Sequence, residues 1–167
     1  MTTDRLVLEV LTTQENHFIF ELVNSKGWLE FIGNRNVNNP EEAVDYIQKI
    51  IENPNVQYWV VKLKEARSSV GVVTLIKRDY LAHHDIGFAF LSQYMGHGYG
   101  FEAANKVLGY LVENANHTHI LATTLPSNKS SIRLLERLGL QFDNEIEVNG
   151  GKLHVYSVAA ETVPIPK

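Results

Sequence analysis

The sequence predicts a mixed α/β domain whose central sheet is mostly antiparallel and carries helices on both faces. Residues 57–63, 70–76 and 85–91 are runs rich in Val, Ile, Phe and Tyr, joined by polar segments short enough for hairpins, so three consecutive antiparallel strands are expected. On both sides of these runs the apolar spacing becomes helical. Ala43, Val44, Ile47, Ile50 and Ile51 share one helix face before them, and Phe101, Ala104, Leu108, Leu111, Val112 and Ala115 share one after them. Amphipathic helices flanking a sheet in one chain bury their apolar stripes against its two faces.

The other elements follow in chain order. Arg5 to Leu11 alternates Leu6, Leu8 and Val10 against Val7 and Glu9, the pattern of a first strand with one face better buried. Thr12 and Glu15 have capping-box spacing, and Phe18, Leu22 and Val23 follow at helical intervals. Residues 25–38 show no period. Asn39-Pro40-Glu41-Glu42 then starts the second helix with a capping side chain, a proline at the first helical position and two acids facing the helix dipole. His119 to Leu125 reads as a strand. Lys129 to Leu138 reads as a short helix with Ser127 or Asn128 as its cap and Gly139 as its stop. Ile146 to Ala159 reads as a hairpin turning at Asn149-Gly150-Gly151. Pro164 and Pro166 argue against a structured tail, so one domain is expected over residues 1–160 with a tail at 161–167.

Composition removes several function classes. A chain of 167 residues with 44% hydrophobic content builds one sizeable core and not two. Its net charge is -4 and its 15 Lys and Arg residues are scattered, leaving no basic stripe for a nucleic-acid backbone. An acid precedes any apolar run at the N-terminus, and no stretch approaches the roughly 18 apolar residues of a membrane span, so a cytoplasmic location is expected. There is no cysteine, which excludes disulfides, thiolate nucleophiles and cysteine zinc sites. His83-His84 and His117-x-His119 invite a metal reading, but adjacent histidines on an extended chain point to opposite faces and no third ligand lies near the second pair. No metal is expected.

Chemistry is concentrated in Phe88 to Leu108, where an apolar strand passes through Gly96, Gly98 and Gly100 straight into an amphipathic helix. A helix start leaves amide N–H groups unpaired and carries about half a positive charge, and glycines let phosphate oxygens approach them. The competing reading is a tight turn that happens to use glycine. Two nucleotide motifs fail on residue identity. A P-loop needs Gly-Lys-Ser or Gly-Lys-Thr where Gly100-Phe101-Glu102 stands, and a dinucleotide fingerprint needs a third glycine where Phe101 stands.

Phe88 to Ala103 resembles the acetyl-CoA motif of the GNAT superfamily, and Ile86-Gly87-Phe88 with Gly96-His97-Gly98-Tyr99-Gly100-Phe101-Glu102-Ala103 is similar to its ribosomal-protein N-terminal acetyltransferase branch. Arg5-Leu6-Val7-Leu8, Asn39-Pro40-Glu41-Glu42-Ala43 and Pro126 to Gly139 resemble further segments of that branch in order and spacing. The resemblance implies an acyl-CoA N-acyltransferase fold and an N-acetyltransferase that moves acetyl from acetyl-CoA to an amine by direct attack. It implies cofactor contacts at Phe88, Phe90, Gly96, His97, Gly98, Tyr99, Gly100, Phe101 and Asn128, and catalytic roles for Ser131 and Asp85. Ser131 would hydrogen-bond the leaving thiolate or merely its own helix. Asp85 would be a base near the acceptor amine or a solvated hairpin aspartate. Asn128 would bond pantetheine, cap its helix, or both. Trp28 and Phe31 fall in the aperiodic stretch that relatives use to shape the acceptor pocket, or belong to the core.

Three positions depart from the family pattern. Met95 stands where Gln or Arg is usual, His97 where lysine is common, and Leu135 where many members place the tyrosine that protonates the thiolate. The acceptor implied by the branch is a protein N-terminal α-amine. The alternatives are a small-molecule amine (aminoglycoside, polyamine or amino acid) and a catalytically weak acetyl-CoA-binding module on the same fold.

Overall fold

The computed structural model describes residues 1–114 and 117–163. Seven strands form one sheet: β1 (Leu6–Val10), β2 (Val56–Leu63), β3 (Ser69–Ile76), β4 (Asp85–Phe90), β5 (His119–Thr124), β6 (Gln141–Val148) and β7 (Gly151–Ala159). Their order across the sheet is β1-β2-β3-β4-β5-β7-β6, and every neighbouring pair is antiparallel except β4 with β5. Among the described residues five α-helices accompany them: α1 (Asn16–Val23), α2 (Lys26–Phe31), α3 (Pro40–Glu52), α4 (Tyr99–Asn114) and α5 (Lys129–Arg137).

The sheet's two faces sort the core by strand alternation. Leu6, Leu8, Trp59, Val61 and Val73 pack with Ala104, Leu108 and Leu111 of α4. Tyr58, Val60 and Val72, one residue out of step, pack with Phe18, Leu22, Trp28, Ala43 and Ile47 of α1 to α3. Helices therefore cover both faces, as expected.

Local chemistry explains where expectation and structure agree. The Asn39 side chain accepts from the Glu42 N–H at 2.8 Å, with Pro40 opening α3, and Asn128 accepts from the Ser131 N–H at 3.1 Å to open α5. Asn149 and Gly150 both have positive φ, which matches a two-residue hairpin turn between β6 and β7.

Four expectations are corrected. Thr12 makes no side-chain cap bond and Glu15 does not reach back to it, because the Glu15 carboxylate pairs with Lys62 at 2.7 Å and accepts from the Ser69 hydroxyl at 2.8 Å. A 3-10 turn at Thr13–Glu15 consequently precedes α1. The aperiodic stretch contains α2, only six residues long and so too short to display a period. Ile51, placed on the apolar face of α3, is instead exposed. Packing also continues past residue 160: a 3-10 turn spans Ala160–Thr162 and Val163 is buried in the core. Ala115, expected on the face of α4, and both tail prolines lie outside the described residues. Among the described residues no helix is long and apolar enough to cross a membrane.

The four histidines flanking the starts of β4 and β5 form two ring pairs, His83 with His119 at 5.1 Å and His84 with His117 at 4.8 Å. Among the described residues no group of three or more His, Asp or Glu is arranged to hold a metal. Burial holds His84 and His117 below the usual imidazole range, and the charge of His83 pushes both further down, joined at His84 by His117 and Lys77. A group whose folded pKa is depressed leaves full stability above its unfolded value and loses it as pH falls below about 6.5. Thermal unfolding followed between pH 8 and pH 5 should show a lower Tm toward acid, and the double change His84→Gln with His117→Gln should flatten that slope.

Candidate active site

β4 and β5 run parallel but pair at a single register position, Asp85 with Leu121, and the Leu121 N–H donates to the His84 carbonyl at 2.9 Å. Beyond that rung the strands part. The remainder of the β4 edge, through Phe88 and Phe90, opens into a cleft of about 670 Å³. That volume suits a bound small molecule.

Asp85 sits at the apex of the parting and is 3% exposed. Its Oδ1 accepts from the Thr123 N–H at 3.0 Å, its Oδ2 accepts from the Thr123 hydroxyl at 3.1 Å, and Arg78 Nε donates to the same Oδ2. The carboxylate thus ties β4 to β5 where the backbone ladder stops. Burial pushes the carboxyl above its usual range, opposed by Arg78 and the Thr123 hydrogen bonds. The solvated-hairpin reading of Asp85 is excluded by this burial. Its oxygens are also already engaged before any amine arrives.

On the α4 side of the cleft, Ser92–Tyr94 forms a 3-10 turn and the chain then passes through Gly96 and Gly98 at φ of +79° and +81°. A side chain at either would be forced into the left-handed region. α4 begins at Tyr99, so the turn delivers its unpaired N–H groups to the cleft wall. The N-terminal arm clamps this turn from outside. Arg5 Nη1 donates to the His97 carbonyl at 3.0 Å, while its Nε and backbone N–H donate to Glu102 at 2.7 and 3.0 Å. Thr3 Oγ1 adds a bond to Glu102 at 2.6 Å. Partial burial raises the Glu102 carboxyl, but the bonds from Thr3 and Arg5 outweigh it and hold the group below the usual carboxylate range.

Of the cofactor residues expected from sequence, Phe88, Phe90, Gly96, Gly98, Tyr99, Gly100, Phe101 and Asn128 all line the cleft. His97 is not among its lining residues: it is exposed and its ring stacks on Tyr99 at 5.7 Å. Ser131 lines the cleft from α5, and its hydroxyl forms no hydrogen bond among the described residues, to its own helix or elsewhere. Asn128 Oδ1 is committed to capping α5. Leu135 is buried against the cleft and offers no hydroxyl.

Sequence reading missed the cations. Arg133 and Arg137 line the α5 side, Arg137 lying 4.0 Å over the Phe101 ring. Their spacing of four, which places both on one helix face, was the available signal. Gly71 was also missed. It pairs with Phe90 across β3 and β4, and any side chain there would collide with the Phe90 ring. On the opposite face the cleft reaches Trp28, Phe31, Arg35, Tyr58 and Arg78. Burial raises the Tyr58 phenol, helped by Tyr46, while Arg35 and Arg78 pull it down less. Trp28 and Phe31 therefore belong to the cleft wall, and Trp28 to the core as well.

The acetyltransferase (GNAT) domain model matches residues 5–141. A Bacillus subtilis (strain 168) relative named "Uncharacterized N-acetyltransferase YnaD" is 26% identical over 143 residues, covering 84% of this chain and 82% of the relative. Among solved structures, ribosomal-protein-S5-alanine acetyltransferase from Vibrio fischeri superposes with a TM-score of 0.81 at 18% identity, covering 98% of each chain. Spermidine N-acetyltransferase from Vibrio cholerae, in complex with CoA and spermine, superposes with a TM-score of 0.80 at 18% identity, covering 95% of this chain and 98% of that one. These two likenesses are of fold.

Replacing Gly98 with valine forces a β-branched residue into the left-handed region and drives its side chain against the Arg5 guanidinium that clamps the turn, which lies 3.4 Å from a Cβ placed there. Gly98→Val should weaken coenzyme A binding at least about tenfold, or roughly 1.4 kcal/mol, in a protein that still unfolds cooperatively. Calorimetry showing unchanged affinity would remove the turn from the cofactor site.

Proposed function

This chain belongs to the GNAT acetyltransferase family and is an acetyl-CoA-dependent N-acetyltransferase; on that premise we propose that its acceptor is an α-amine, such as that of a protein N-terminus, attacked directly without a side-chain base. One observation carries this reading: Asp85, the sole acid lining the cleft among the described residues, already accepts from Arg78 and twice from Thr123. An unperturbed α-amine has a pKa of about 7.7–8.0 and is partly neutral near pH 7.5, whereas a lysine amine near 10.4 is almost wholly charged. A cleft with no free base favours the amine that needs none.

In this reading the pyrophosphate of acetyl-CoA rests on the Gly96–Phe101 turn and the first N–H groups of α4, with Arg137 beside it. Phe88, Phe90 and the unpaired edge of β4 receive the pantetheine arm, and Asn128 adds its free side-chain amide. His97 acts through its carbonyl, as the anchor for Arg5. A backbone N–H of the parted β4 edge supplies the oxyanion donor. The amine nitrogen bonds to the acetyl carbon, the carbon–sulfur bond breaks, and coenzyme A leaves as its thiol. The proton that the ammonium loses before attack goes to solvent, and the second N–H proton, released as the amide forms, reaches the departing sulfur through solvent. Ser131 Oγ, unengaged and on the cleft wall, hydrogen-bonds the departing sulfur where Leu135 cannot. Asp85 positions: it fixes Arg78 and β5 relative to β4 and takes no proton.

Two substitutions test these roles. Ser131→Ala should lower kcat about 10²-fold with little change in coenzyme A affinity, the signature of an interaction made at the transition state; an equal loss of binding and rate would place Ser131 in the binding surface instead. Asp85→Asn should lower the plateau of the pH–rate profile and leave its acidic limb in place. A limb that moves with Asp85→Asn would identify that carboxylate as the base after all.

A further inference from the structure

The cleft has two ends with different chemistry. The α4 and α5 end has the glycine turn, Ser131, Arg133 and Arg137. The end reached from the other face of the sheet is where an acceptor must enter, and its wall is Trp28, Phe31, Ile32, Tyr58, Arg35 and Arg78. Arg35 is exposed, lies 5.8 Å over the Trp28 ring and forms no ion pair among the described residues. Arg78 engages Asp85 through Nε, and its two terminal nitrogens have no hydrogen-bond partner among the described residues. Trp28 is 4% exposed, and its Nε1–H is buried and unpaired among the described residues. This end therefore presents two guanidinium forks, one of them balanced by Asp85, and an aromatic surface, with no unengaged carboxylate.

Such a wall repels a polycation and attracts an oxygen anion. Arginine's planar fork matches a carboxylate bidentately. We infer that the acceptor end selects an apolar α-amine carrying a carboxylate a few bonds from its nitrogen, and rejects polyamines and aminoglycosides. The inference rests on the reading of the chain as an α-amine acetyltransferase and narrows its substrate class. Arg35, whose charge no carboxylate offsets among the described residues, favours the neutral form of a nearby amine, since a positive neighbour disfavours the ammonium. The carboxylate has two sources, the α-carboxylate of a free amino acid or an acidic second residue of a peptide N-terminus.

The test titrates the coenzyme A-loaded protein with L-phenylalanine, L-phenylalaninamide, the dipeptide amides Phe-Asp-NH2 and Phe-Asn-NH2, and spermidine, by calorimetry. Thiol release from acetyl-CoA is followed in parallel. At least one carboxylated acceptor should bind about tenfold tighter than its neutral partner and tighter than spermidine, and the pair that shows the difference identifies the source. Arg35→Glu, a change at an exposed side chain, should abolish that preference and raise affinity for spermidine while coenzyme A affinity stays put. Spermidine binding as tightly as the carboxylated acceptors, absence of binding by any carboxylated acceptor, or a preference unmoved by Arg35→Glu overturns the inference. Selective binding without thiol release sustains the selectivity and overturns the acetyl-transfer reading, so the two failures are told apart.

Discussion

The arrangement depends on one interaction, the grip of Asp85 across the parting of β4 and β5. Two parallel strands that share a single rung would ordinarily either zip up or drift apart, because unpaired backbone groups seek partners. Here a side chain takes over where the ladder ends. Both Asp85 oxygens bond to Thr123, one through its N–H and one through its hydroxyl, and Arg78 balances the buried charge. Removing one partner of such a pair leaves an uncompensated charge, which typically costs about 3–5 kcal/mol. The cleft is thus a stabilised feature of the sheet, and a β4 edge free of strand partners is available to a ligand that can hydrogen-bond along it.

A second constraint converts that edge into a site. The chain must leave β4, clear the cleft mouth and start α4 within a few residues, and it does so through two left-handed glycines. Such a turn is soft on its own, since glycine loses the most conformational freedom on folding. Rigidity comes from the other end of the chain. Arg5 bonds both the His97 carbonyl inside the turn and Glu102 in the first turn of α4, while Thr3 holds the same carboxylate. The segment that opens the sequence therefore fixes the segment that carries its chemistry, a link of 92 positions between Arg5 and His97 that no local pattern shows.

Much of this architecture is legible in the amino-acid sequence, and the limits are physical. Strand runs around Val60, Val72 and Ile86 are readable because burial on one or both faces writes itself into residue type at period two. Asn39 and Asn128 are readable because capping is local. Reading fails where a local signal is overridden from a distance: Glu15 leaves its capping position for Lys62 and Ser69, on strands 47 and 54 residues away in sequence. In the cleft, the glycine turn and Ser131 can be found by family resemblance. The engagement of Asp85 cannot, because Arg78 and Thr123 are named by the fold alone. His97 shows the converse case, in which a side chain in the motif points elsewhere and its backbone does the holding.

Resemblance also stops short at the acceptor, and the reason lies in how such a cleft is built. Donor recognition uses backbone, in the form of a strand edge, a glycine turn and a helix start, and these recur wherever the fold recurs. In the proposed reading, acceptor recognition uses side chains of α2 and the segment after it, of β2 and of the segment after β3. These can change sign without disturbing the sheet. A polyamine and a protein N-terminus can therefore be served by chains that superpose closely, and fold does not imply function at that end. What discriminates is the balance of charge that a substrate meets on entry. In this chain the guanidiniums proposed to meet it are those of Arg35 and Arg78, with the nearest acid already taken. On the proposed reading the acetyl donor is specified by geometry that the family shares, and the acceptor by the electrostatics of this chain's own side chains.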